Sequence, residues 1–314
     1  MTAAPFVVLA CGSRTGIDAD GLLPSTPGDE TKDAGHDAGR DATHGVPPLD
    51  CTNKGITYIY AIGEDNQIYS YYPKTSEFTL IGTLDCPAAP GASPFSMAVD
   101  HKGTAYVVFS NSVQEPGGTV VPGPANGELF RVSTKTAHCE ATSFVPDQHG
   151  FATFGMAFVA NVGDGGTGET LYVAGDTTDA LATIDLATFE LHVVAPFSGA
   201  SGNMVSMAEL TGTGDGRLFG FFAPSNTQPP SFIDRIDPRT ANVRSSVLLP
   251  DVIEGQGWAF GFWGGDFYTF TAPDDTTTVV TRYKPSDGSV TQVATAPSGV
   301  VIVGAGVSTC APQE

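Results

Sequence analysis

From residue 51 onward, short apolar runs rich in Tyr, Phe, Val, Ile and Thr alternate with turns of Gly, Asp, Asn and Pro. No 3.6-residue periodicity is sustained anywhere, so the pattern predicts strands throughout and an all-β fold. The pattern also repeats. "FIDRIDPRTANV" (232–243) has looser copies in "IYSYYPKTSEFT", "LFRVSTKTAHCE", "LATIDLATFELH" and "VTRYKPSDGSVT". Aligned on the turn, the copies start at Tyr72, Val132, Ile184, Ile236 and Tyr283, and subtracting neighbours gives spacings of 60, 52, 52 and 47. Asp or Ser at the first corner accepts a backbone N–H, and Pro presets φ at the next position.

Each turn joins two strands of a larger unit. Upstream lies a second strand ("TYIYAI", "AYVVFS", "LYVAG", "LFGFFA", "FYTFTA"), and before it a strand of small and apolar residues ("FSMAVD", "FGMAFV", "VSMAEL", "AFGFW"). Four antiparallel strands with the smallest residues on the first describe a β-propeller blade, because blades converge at the axis. The first unit lacks its innermost strand, and "VVIVGAGV" (300–307) follows the last complete one. The expected fold is a five-bladed β-propeller whose C-terminal strand completes the first blade.

Ring closure bears on the cysteines. Cys51 precedes the second strand of the first blade and Cys310 follows the inserted strand, so a Cys51–Cys310 disulfide is expected. Cys86 and Cys139 then pair by elimination, although one ends an outer strand and the other begins the next, which simple geometry puts on opposite faces. No cysteine sits in a CxxC or zinc-finger spacing, and disulfides in an oxidising compartment follow.

The first 50 residues differ in character. Val8-Leu9-Ala10-Cys11 resembles a bacterial lipobox, whose cysteine becomes the lipidated first residue of the mature protein. The apolar run before it is short and carries no Lys or Arg, which a start codon placed too far downstream would explain. Residues 1–11 are therefore taken as the remnant of a lipoprotein signal. Residues 12–50, with "DAGHDAGRDAT", form a polar tether without apolar periodicity, and 51–314 form the propeller. His36, Asp37, Asp41 and His44 lie in that tether and have no fixed geometry for a metal.

The net charge of −20 argues against nucleic acid, which needs a basic stripe. A membrane contact is expected only through lipid at Cys11. No catalytic constellation emerges. Five-bladed glycoside hydrolases carry three carboxylates around the axis, whereas the inner strands here offer only Asp100 and Glu209, and Asp266 starts a second strand. Glu209 aligns with Val99 and Phe158, which are packing positions, so it is a candidate buried axial acid. No Gly-x-Ser-x-Gly elbow, EF-hand spacing or phosphate loop occurs, and no metal or cofactor is implied beyond a possible structural cation.

One constellation points to binding. Each second strand is followed by Asx: Asp65 and Asn66, Asn111, Asp176, Asn226, and Asp274 with Asp275. Either these residues only initiate turns, or they form a polar rim on one face. The same face receives His149, Phe151, Asn203, Gln256 and Trp258, a mixture of aromatic and polar groups suited to a carbohydrate or peptide. The inserts "VQEPGGTVVPGP" and "APSNTQPPS" belong to this face as well.

With its "IDPxT"-like turns the chain resembles the exported bacterial propellers of the YVTN and related repeat types. Its "DAGxDA" leader resembles those of myxobacterial-type envelope lipoproteins. The resemblance implies a fold and an address outside the cytoplasm, not a substrate. The expected function is a non-enzymatic binding or scaffold module at the cell envelope, recognising a carbohydrate, peptide or protein. The alternative is a propeller-type hydrolase or lactonase with an axial metal or carboxylate site.

Overall fold

A computed structural model of the chain describes residues 57–114, 120–123, 126–162, 168–199, 208–222 and 230–314, together with Leu49 and Cys51. Cys11, the tether apart from Leu49, Asn203 and Asn226 lie outside the described residues. Within them no helix is long and apolar enough to cross a membrane.

Five antiparallel sheets follow one another as blades, each running from an inner strand outward. Blade 1 is Ile302–Val307, Ile59–Gly63, Gln67–Tyr72 and Glu77–Thr83. Blade 2 is Ser93–Val99, Thr104–Ser110, Glu128–Ser133 and Cys139–Ala141, and blade 3 is Phe154–Ala160, Glu169–Gly175, Ala180–Ile184 and Leu191–Pro196. Blade 4 is Ala208–Gly212, Leu218–Phe222, Ser231–Ile236 and Asn242–Leu249, with Ser198–Gly199 added in parallel at its outer edge. Blade 5 is Trp258–Trp263, Asp266–Thr271, Val279–Lys284 and Ser289–Thr295. The chain is a five-bladed β-propeller. The insert after Ser110 carries a small hairpin, Ser112–Gln114 with Val120–Pro122.

The C-terminal strand closes the ring as expected, with Ile59 opposite Val307 and Ala61 opposite Ala305. Its apolar side chains belong to the cluster between blades 5 and 1, where Ile302, Ala305 and Val307 pack with Ile59, Ala259 and Phe270. Each of the other blade interfaces likewise holds its own apolar cluster. Small residues let the inner strands approach. A Cβ on Gly155 would lie 2.0 Å from the Ala208 carbonyl oxygen, and one on Gly304 would lie 2.9 Å from the Met97 nitrogen.

The repeated turn has one geometry. The N–H groups of Ser76, Ala137, Phe189, Ala241 and Gly288 donate to the carbonyls of Tyr72, Ser133, Asp185, Asp237 and Lys284, four residues back. Each donor residue has positive φ, between 55° at Ala241 and 74° at Gly288. The Asp185 carboxylate accepts N–H bonds from Ala187 and Thr188, and that of Asp237 accepts one from Arg239. These closures correct the register of the first repeat by one residue. Tyr71, not Tyr72, corresponds to Val132, Ile184, Ile236 and Tyr283, and it is buried as they are. The similarity of "YPKT" to "IDPR" misplaces it because the constraint is the closing hydrogen bond, not the proline.

Both expected disulfides form, Cys51–Cys310 with Cα atoms 5.3 Å apart and Cys86–Cys139 with 4.7 Å. Opposite faces do not separate the second pair. Sheet twist of about 20–25° per strand turns an outer strand far from the axis direction, so the end of blade 1's outer strand reaches the third-strand turn of blade 2. Gly82 there packs against Ala137. Asp85 fixes the contact, accepting the Cys139 N–H at 2.7 Å and facing His138 Nδ1 at 2.8 Å.

The Cys51–Cys310 bond encloses 259 residues of sequence separation, and by chain entropy such a loop stabilises by at most about 5 kcal/mol. Replacing both cysteines with Ser is expected to lower the melting temperature by several degrees without changing the far-ultraviolet circular dichroism. Non-reducing peptide mapping of the wild type should recover the 51–310 and 86–139 cross-links. Other pairings would contradict the closure.

Candidate functional site

Inner strands all begin on one face of the ring, here called the upper face. There the strand Ser93–Val99 bulges: Pro94 opposes Phe109 and Ser96 opposes Val108, which leaves Phe95 without a partner. A bulged residue is released from the ladder and re-aimed. Phe95 packs against the cluster between blades 2 and 3 and also against that between blades 4 and 5. It therefore reaches across the axis.

Glu209 approaches from blade 4. Its neighbours Ala208 and Leu210 pack between blades 3 and 4, so strand alternation turns Glu209 towards blade 5. Thr211, on the same side, accepts the Phe262 N–H at 3.0 Å. The expected alignment of Glu209 with Val99 and Phe158 does not hold. Gly155 lies against Glu209, and it is Gly212 that lies against Phe158. Register between blades follows the positions where small residues let backbones touch, not the shared letters Ser-Met-Ala.

Glu209 is fully buried, and neither carboxyl oxygen has a hydrogen-bond partner among the described residues. Burial raises its pKa well above the ordinary glutamate value, and the nearby charge of Glu254 raises it further. Ser96 lies close enough to oppose this shift, yet its own hydroxyl makes no well-formed hydrogen bond. Trp258 opens the inner strand of blade 5 with its ring in the blade 4–5 cluster, and its indole N–H is likewise without a partner among the described residues. Buried polar groups on the inner strands of blades 2, 4 and 5 thus stand unsatisfied among the described residues.

Glu254 was not anticipated from sequence. It sits in the loop before blade 5, 8% exposed, with its pKa pushed up by burial to about 7. The loop is pinned in three ways. The Ala272 N–H donates to the Glu254 carbonyl at 2.9 Å. Gly255, at φ 68°, lies so close to Ala272 that no Cβ fits. The Gln256 N–H donates to Asp275 Oδ1 at 3.0 Å. The signal in the sequence was the pair of glycines in "EGQGW", which marks a tight backbone approach.

The remaining sequence candidates divide. Asp176 is half-buried and accepts a hydrogen bond from Thr153 Oγ1. Burial raises its carboxyl pKa, and its second oxygen has no partner among the described residues. His149 occupies an exposed turn at φ 53°. Asp274 accepts N–H bonds from Thr276 and Thr277, which hold its pKa down, and Asp65 accepts one from Gln67. These two make turns. Asn111 is buried, with its backbone tied to Asn126 and Gly123. Asp100 serves the opposite face, accepting from Lys102 and Thr104. Among the described residues no three His, Cys, Asp or Glu converge as a metal-binding set.

No family model matches the chain, and no curated protein matches it. Solved structures do. A chain of a nidogen/laminin complex matches at 10% identity with a TM-score of 0.46, covering 79% of this chain and 97% of that one. A gluconolactonase from Xanthomonas campestris matches at 13% identity with a TM-score of 0.40, covering 68% of this chain and 65% of that one. Hydrazine synthase from Kuenenia stuttgartiensis matches at 15% identity with a TM-score of 0.38, covering 82% and 69%. All three are distant.

The two axial acids make stability depend on pH. Glu254 keeps its proton in the fold up to about 7, while its ordinary value is 4.5. Between those values the unfolded chain binds fewer protons than the fold, so stability falls as pH rises, by roughly 3 kcal/mol from this group. Glu209 acts in the same direction. Urea midpoints are expected to drop from pH 5 to pH 8, and Glu254→Gln to flatten that drop. Equal slopes in the variant and the wild type would contradict the burial of this carboxyl.

Proposed function

We propose that this protein is a binding module whose upper axial end recognises a neutral, hydroxyl-rich ligand of carbohydrate type. One observation carries the reading. Glu209 and Ser96 stand close to one another from blades 4 and 2, the Trp258 indole lies in the blade 4–5 cluster, and none of the three has a partner among the described residues. A buried polar group left unsatisfied costs about 1–3 kcal/mol, and a ligand supplying hydroxyl donors and acceptors would relieve that cost. Phe95, the residue before Ser96, adds an aromatic face, and small-molecule sites combine such faces with a few placed polar groups. Burial raises the Glu209 pKa well above the ordinary glutamate value and so favours the neutral carboxyl, which can both donate and accept. Neutral hydroxyls suit such a group better than a cation does.

A glycan array probed with the intact protein tests this. Glu209→Gln keeps the shape but replaces the acid, and Phe95→Ala removes the aromatic face. Each is expected to weaken binding of the captured glycan about tenfold, which is about 1.4 kcal/mol. Retention of a glycan with unchanged affinity in both variants would remove the axial site.

A second reading, a hydrolase or lactonase, is favoured by the nearness of Glu209 and Glu254. A carboxyl with a pKa of about 7 is poised for general acid or base work at neutral pH. Turnover of a sugar lactone that disappears in Glu254→Gln while binding persists would support it. Binding without turnover supports the module.

The address proposed is the bacterial cell envelope, with lipid at Cys11. The lipobox-like Val8-Leu9-Ala10-Cys11 and two disulfides support an oxidising, exported setting. Mass spectrometry of the mature N-terminus should find a diacylglyceryl-modified Cys11 as the first residue. An unmodified chain retaining Met1 would refute the anchor.

A further inference from the structure

Between blades 4 and 5 the chain crosses the upper face in one short loop, residues 250–257. It leaves the outer strand of blade 4 after Leu249 and enters the inner strand of blade 5 at Trp258. Val252 anchors the first half of the loop in the blade 4–5 cluster, and its carbonyl accepts from Ser231 Oγ at 2.9 Å. The second half turns Glu254 inward, where its carboxyl is buried within electrostatic range of Glu209.

Among the described residues no cation acts on either acid. Burial alone raises the Glu254 pKa, and burial followed by the charge of Glu254 raises that of Glu209, with Ser96 opposing. The other titratable groups on the elements around Glu254 are Asp251, exposed on the loop itself, and Asp275, which holds the Gln256 N–H. Both are acidic. A buried carboxylate without a cation must either keep its proton or reach water.

The loop can take the second course because few bonds hold it inward. The Ala272 N–H is shared between the Glu254 carbonyl at 2.9 Å and the Gly257 carbonyl at 3.3 Å, so it keeps an acceptor when Glu254 leaves. The Gln256 N–H donates to Asp275, an exposed side chain, and water can replace that bond. Gly255, at φ 68°, and Gly257 give the backbone room to swing. Moving residues 253–256 therefore gives up two replaceable ties, whereas ionising Glu254 in place gives up the hydration of a full charge.

We propose that residues 253–256 form a pH-operated lid on the upper axial end, closed while Glu254 is neutral and swung outward when it is ionised. The lid regulates the axial site, so its purpose rests on the ligand reading above; its movement is measurable without a ligand. In the open loop the carboxyl returns to its ordinary value of 4.5, against about 7 in the closed one. The open loop thus binds fewer protons and gains on the closed loop as pH rises. The gain runs from pH 4.5 to about 7 and then levels off, and the gap between those values multiplies the open-to-closed ratio by about 300. Local opening releases the proton without unfolding the blades.

Hydrogen exchange of the intact protein, read by mass spectrometry at pH 5 and pH 8 with labelling times scaled to the intrinsic rates, tests the lid. Protection across residues 252–257 is expected to fall at least tenfold from pH 5 to pH 8, while Leu218–Phe222 of blade 4 keeps its own. Glu254→Gln should hold the loop protected at both values. If that variant misfolds, Glu254→Ala serves, and its loop should show no dependence on pH. Equal wild-type protection at the two pH values, or a fall retained in the variants, would overturn the proposal. So would a loss of protection in Leu218–Phe222 alongside the loop, which is global unfolding. A glycan array that captures nothing while the loop responds to pH removes the ligand reading and leaves the lid standing.

Discussion

The antiparallel pairing of Ile302–Val307 with Ile59–Gly63 is the constraint on which the rest of the molecule depends. A ring of sheets has no edge at its axis only if every blade has an inner strand, and blade 1 has none until the far end of the chain supplies it. The pairing satisfies backbone hydrogen bonds that would otherwise be exposed along Ile59–Gly63, and it completes the apolar cluster between blades 5 and 1. The Cys51–Cys310 bond lies just beyond both strands and limits how far they separate when the seam opens.

Closure also creates the axis and its cost. Five inner strands brought together leave little room, which the glycines at 155, 212, 304 and 306 provide. The same convergence strips water from whatever side chains point inwards. Most of those are apolar. Glu209, Ser96, Glu254 and the Trp258 indole are not, and a purely structural core would gain by replacing them with apolar residues of similar size. Their retention at one end of the axis, beside the bulged Phe95, is what gives that end its chemical character.

The fold was readable because the repeated turn is a local hydrogen-bond motif with local residue requirements. Five copies at nearly constant spacing then fix strand number and blade number together. Register across blades was not readable in the same way. Blade 1 was displaced by one residue because Pro73 mimicked the proline of "IDPRT", and Glu209 was aligned with Phe158 because "SMA" recurs, while the real contacts are between backbones at Gly155 and Gly212. The Cys86–Cys139 bond conflicted with a flat picture of the blade and is natural in a twisted one. Phe95 and Glu254 escaped notice since one sits at a bulge and the other in a loop, where alternation says nothing about direction. Of the expected rim, Asp65 and Asp274 proved to be turn formers, as short polar side chains usually are.

Hydrogen exchange measured by mass spectrometry addresses the seam most directly. If the C-terminal strand closes the ring, peptides covering 302–307 and 59–63 should share one slow exchange rate, equal to that of the inner strands of blades 3 and 5. Rapid exchange of 302–307 while the other inner strands stay protected would mean that the strand does not seal blade 1, and would contradict the account.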